Sequence, residues 1–94
     1  MNANDQDSAL EALIGRDVVI DVVSRYVFLG NLLGYDRSYV ILEQTDVHDL
    51  RDTATTRENY IVESRRSGIH PNREKVYVRI GEIVSISALE DVML

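Results

Sequence analysis

The chain of 94 residues is 45% apolar and holds no cysteine, which fits one small globular domain with neither a disulfide framework nor a thiolate metal site. Its formal net charge of −6 argues against broad, sequence-independent attachment to phosphate. No apolar run approaches the roughly 20 residues that cross a bilayer. The polar, acidic start MNANDQDSA resembles neither a secretory signal nor a transit peptide, so a cytoplasmic location is the expectation.

In chain order, residues 1–7 read as a flexible tail and residues 8–94 as a single domain. Ser8 and Glu11 have the spacing of a capping box, in which each side chain satisfies a free amide at a helix start. Leu10, Leu13 and Ile14 share one face of the short helix that follows, and Gly15 suits the position just past its end. So short a helix has to lie on the rest of the chain or on a neighbour. From Asp17 to Val23 the side chains alternate, with Val18, Ile20 and Val22 on one face, as in a half-buried antiparallel strand. Ser24-Arg25 leads into a second strand, Tyr26 to Tyr35, in which Gly30 and Gly34 mark bulges or bends and Leu32 is expected inside. The polar turn Asp36-Arg37-Ser38 opens a third strand, Tyr39 to Glu43, with Val40 and Leu42 pointing inward.

Gln44 to Ala54 reads as loop. Its Asp46, His48, Asp49 and Asp52 lack the glycine of a calcium turn and the second histidine of a zinc site, so they are expected to cap the loop and to hold no metal. Thr55 and Glu58 repeat the capping-box spacing and introduce residues 58–67, which Gly68 and Pro71 would stop. A helix fits that stretch. A strand through residues 59–63 fits it as well, since Tyr60, Ile61 and Val62 favour sheets, and a bent extension of strands three and four would also fit the insert. Strands four and five follow at Lys75–Ile80 and Ile83–Ser87, with a link too short for an ordinary hairpin. Charge is uneven: residues 57–79 carry +3, while residues 1–56 carry −6 and residues 80–94 carry −3. Arg65, Arg66, His70, Arg73 and Lys75 form the basic cluster, readable as an anion or RNA-backbone contact or as a solvated mixed face. No Ser-His-Asp order, phosphate loop or metal-spaced histidine pair argues for catalysis, and no cofactor is expected.

Two segments carry a family resemblance. Gly30-Asn31-Leu32-Leu33-Gly34-Tyr35-Asp36, followed by an apolar strand ending in Leu42-Glu43, resembles the first motif of the Sm and Sm-like (LSm) family. Val78-Arg79-Ile80-Gly81-Glu82-Ile83-Val84-Ser85-Ile86-Ser87 resembles the second. The resemblance implies a mainly β fold: a small, strongly bent five-stranded antiparallel barrel with an N-terminal helix and a long insert, residues 46–73, before strand four. It further implies a homo-oligomeric ring in which strand four of one copy pairs with strand five of the next, and a single-stranded RNA ligand. Carried over by motif, Asp36 orients the base-binding loop while Arg79 and Gly81 line the adjacent wall. Tyr39 offers a stacking face, and Arg65, Arg66, Arg73 and Lys75 are accessory basic contacts. This chain departs from the pattern twice. Tyr39 and Val40 stand where RNA-binding members place an asparagine, and Ile80 separates Arg79 from Gly81. These departures keep a second expectation open, a non-catalytic scaffold that retains the ring without RNA.

Overall fold

The computed structural model describes residues 9–52 and 54–94. Ser8 and the tail before it lie outside the described residues. Five antiparallel strands, β1 (Asp17–Val22), β2 (Tyr26–Tyr35), β3 (Tyr39–Asp49), β4 (Arg73–Arg79) and β5 (Ile83–Ala88), form one sheet in the order β4-β3-β2-β1-β5. β4 and β5 are adjacent in sequence yet occupy opposite edges. A single 3-10 turn, Ile80–Glu82, carries the chain from one to the other.

The β2–β3 pair carries two bulges. Gln44 and Thr45 of β3 face the lone Gly30 of β2, and Gln44 takes the positive φ of 47° that opens the step. Gly30 is required there, because a Cβ at that position would lie 2.5 Å from Thr45 Oγ1 and 3.1 Å from the Glu43 carbonyl. At the second bulge Leu33 is the extra residue of β2, between the Leu32↔Leu42 and Gly34↔Ile41 pairs. Glycine thus marks both sites as expected, but at the first the inserted residue belongs to the partner strand.

Inside the bend, Val18, Ile20, Val22, Leu32, Val40, Leu42 and Val78 form the main core. Leu32, Val40 and Leu42 are fully buried, as the alternation implied. Leu13 of the N-terminal helical turn (residues 9–11 and the bend after them) packs against this cluster. Gly15, at φ 85°, then turns the chain so that its N–H donates to the Leu32 carbonyl.

Two expectations are corrected outside the bend. β3 does not stop at Glu43: the stretch read as loop continues the strand to Asp49, because the Gln44 bulge lets Asp46, Val47, His48 and Asp49 resume pairing with β2. β1 is not half-buried: Val19 is only 1% exposed, because helix α1 (Arg57–Ser67) covers the other face. Ile61 of α1 joins Val19, Val27, Leu29 and Leu89 in a second core. Between the two readings of residues 58–67 the structure takes the helix. Its cap is Thr56, whose side chain accepts from the Asn59 N–H at 3.1 Å, one residue later than the capping box placed it. Gly68 ends it at φ 93°. Arg57 ties its first turn to the β1–β2 bend through Asp21 (3.1 Å) and the carbonyls of Tyr26 (3.1 Å) and Ser24 (2.9 Å). Among the described residues no helix is long and apolar enough to cross a membrane.

Candidate nucleic-acid interface

The turn between β2 and β3 is built by its own aspartate. Asp36 Oδ1 accepts from the N–H groups of Ser38 (2.8 Å) and Tyr39 (2.7 Å), and the Asp36 N–H donates to the Tyr39 carbonyl at 2.9 Å. An aspartate that closes its own turn in this way fixes the loop without help from the rest of the fold. The same two amides favour the ionised carboxylate and hold its pKa below the ordinary value.

Tyr39, the first residue of β3, pairs with Arg79, the last of β4. One residue on, the Ile80 N–H donates to the Ser38 carbonyl at 2.8 Å, which stitches the 36–38 turn to the turn that holds Gly81. Asp36, Tyr39, Arg79 and Gly81 therefore meet at one end of the sheet. Sequence reasoning missed two neighbours. Tyr77 is 59% exposed and lies edge-on to Tyr39, with ring centroids 6.2 Å apart and planes at 83°. Arg37 is exposed in the turn itself. The signal for Tyr77 was present: it alternates with Val76 and Val78, on the same side of β4 as Lys75 and Arg79. A recess of about 240 Å³, bordered by Phe28, Tyr77, Arg79 and Glu82, opens beside this cluster.

The accessory basic residues divide. Arg73 and Lys75 are exposed on β4, on the face that carries Tyr77 and Arg79, with Thr45 and Glu43 as their cross-strand neighbours. Arg73 is six residues from Arg79, roughly 20 Å along an extended strand. Arg65 and Arg66 sit in the last turn of α1. Arg65 borders a separate cleft beside Asp17, in the cross-sheet row Lys75–Glu43–Asn31–Asp17, four residues along β3 and β4 from the Tyr39–Arg79 row. The structure does not gather α1 onto the Asp36 turn.

Asp46 and Asp49 are committed elsewhere. Asp46 accepts a hydrogen bond from the Tyr60 hydroxyl, and His48 stacks on the Tyr60 ring with centroids 3.6 Å apart. Asp49 pairs with Arg51 (2.9 Å) and Arg25 (3.2 Å). Among the described residues no group of three or more histidines and carboxylates is placed to hold a metal ion.

Against known proteins, no family model matches the sequence and no curated protein matches it. Solved structures do. An Sm protein of Pyrococcus abyssii, determined in complex with a uridine heptamer, superimposes with a TM-score of 0.59 at 18% identity, covering 94% of this chain and 99% of that one. At that identity the likeness speaks for architecture: the chain has an Sm-like fold.

Proposed function

We propose that the protein is a non-catalytic, cytoplasmic RNA-binding subunit. It takes single-stranded RNA at the end of the sheet made by the 36–38 turn and the Ile80–Glu82 turn, within a ring of copies of itself. The observation that carries this reading is the convergence of Asp36, Tyr39 and Arg79, brought together by the Tyr39↔Arg79 pair and the Ile80-to-Ser38 hydrogen bond. A rigid turn beside an aromatic face and an exposed guanidinium is what unstacked bases and their phosphates require. In this reading Asp36 holds the loop, Tyr39 with Tyr77 stacks a base, and Arg79 meets phosphate or a base edge beside the open backbone of Gly81. Arg73 and Lys75 extend the cationic face along β4, and Arg65 and Arg66 are peripheral. The solved Sm protein bound to a uridine heptamer supports the ligand class. An acidic chain at −6 needs such a local site, because its overall field repels phosphate.

Fluorescence anisotropy with labelled uridine and adenosine heptamers tests the reading. Binding is expected at low salt, and Tyr39→Ala should weaken it by about 1–3 kcal/mol, the worth of one stacked base. Arg79→Ala should also lower the salt slope by about 0.7 for a single-strand phosphate contact. No binding by the wild type at low salt would leave the scaffold reading, a ring without RNA.

A further inference from the structure

Four alternate residues of β4, Arg73, Lys75, Tyr77 and Arg79, are exposed along one side of the strand, while Val76 and Val78 on the other side pack into the main core. Their cross-strand neighbours on β3 are Thr45, Glu43, Ile41 and Tyr39. Helix α1 covers Val19 of β1 and Val27 and Leu29 of β2, whereas Ile41 belongs to neither core.

The cations of this strip are left free. Arg16, Arg25, Arg51 and Arg57 each pair with an acid, but Arg73, Lys75 and Arg79 have no ion pair among the described residues. Arg73 donates only to the carbonyl of its neighbour Asn72, at 3.0 Å. Within the four cross-strand rows the one carboxylate is Glu43, opposite Lys75, and it makes no ion pair among the described residues either. Three cations against one acid leave the strip positive on a chain of net charge −6. Alternate residues of a strand stand about 6.7 Å apart, close to the step between phosphates in an extended single strand. Arg79 to Arg73 covers roughly 20 Å, about three such steps, and Tyr77 interrupts the cations with an aromatic face.

We propose that this side of β4 is a track for extended single-stranded RNA, about four nucleotides long, leading away from the 36–38 turn. The track presupposes the RNA contact proposed above and lengthens it from one turn to a path. Arg79, Lys75 and Arg73 meet successive stretches of the phosphate backbone, and Tyr77 with Ile41 carries a base between them. Stacking and phosphate contacts of this kind tolerate any base, so the track adds affinity and leaves base choice to the turn.

The test is fluorescence anisotropy of a labelled uridine heptamer over a salt series, with backbone amide shifts read by NMR on the same complex. The double variant Arg73→Gln, Lys75→Gln should lower the salt slope by about 1.4, twice the single-strand value for one phosphate. The heptamer should shift the amides of Glu43, Thr45, Arg73 and Lys75 in the wild type. A double variant with the wild-type slope, or shifts confined to residues 36–39 and 79–82, would overturn the track while the turn contact stands. Absence of wild-type binding at low salt would remove both.

Discussion

Residue-level chemistry decides how β2 and β3 meet at the first bulge. Gly30 leaves room for Thr45, whose hydroxyl is fully buried and has no hydrogen-bond partner among the described residues. Gly30→Ala should therefore lower stability by about 1–3 kcal/mol, the cost of forcing atoms into a packed interior, measured by urea unfolding. Thr45→Val, which replaces the orphaned hydroxyl by a methyl of similar shape, should be neutral or stabilising in the same assay. Two carboxylates contribute to the acid limb of the stability curve. Asp49 is held well below the usual carboxylate range by the Arg51 side chain first, then by the Arg51 N–H and Arg25, and Asp36 is lowered by the Ser38 and Tyr39 amides. Both folded pKa values lie below the unfolded value of about 3.9. Their contribution is thus complete above that pH and is lost as pH falls through the folded values. Asp49→Asn should lower stability at neutral pH, and its deficit against the wild type should shrink as pH drops below about 4, which acid unfolding followed by circular dichroism would read. Asp36 and Tyr39 were named in the sequence from their place in the first motif, and the contact between the aspartate and the Tyr39 N–H, three residues on, is a local one. Tyr77 was not singled out, because its exposure depends on which side of β4 is covered.

At the scale of elements, helix α1 distinguishes a bare bent sheet from this molecule. It is held by Arg57 at one end and by Tyr60 in the middle, where the hydroxyl donates to the buried Asp46 and the ring stacks on His48. The tyrosine's own pKa is pushed far up, by burial first and then by that carboxylate. Tyr60→Phe keeps the ring but strips Asp46 of a partner. A loss of about 1–3 kcal/mol is expected, as for an unsatisfied buried acceptor, and amide exchange should be fastest across residues 57–67. The strands and their inward residues could be read from period-two alternation, since Val18, Ile20, Leu32, Val40 and Leu42 all lie inside. The extent of β3 and the second buried face of β1 could not. Asp46-Val47-His48-Asp49 is polar on its own and becomes strand only through pairing with β2, and Val19 needs a helix distant in sequence to cover it. The apolar run Val18-Val19-Ile20 did hint at a strand buried on both faces.

For the whole molecule the unresolved physical problem is the pair of edges. β4 and β5 end the sheet on opposite sides, and each leaves one line of backbone amides without a strand partner among the described residues. Val84 on β5 and Tyr77 on β4 are 66% and 59% exposed, apolar surface that a lone subunit would leave in water. Complementary edges on one chain join head to tail, and a rotation that closes yields a ring. The mass in solution, read by light scattering behind a sizing column at micromolar concentration, tests this most directly. A single species at several whole multiples of 10.7 kDa is expected, whereas a stable, fully folded species at 10.7 kDa would contradict it.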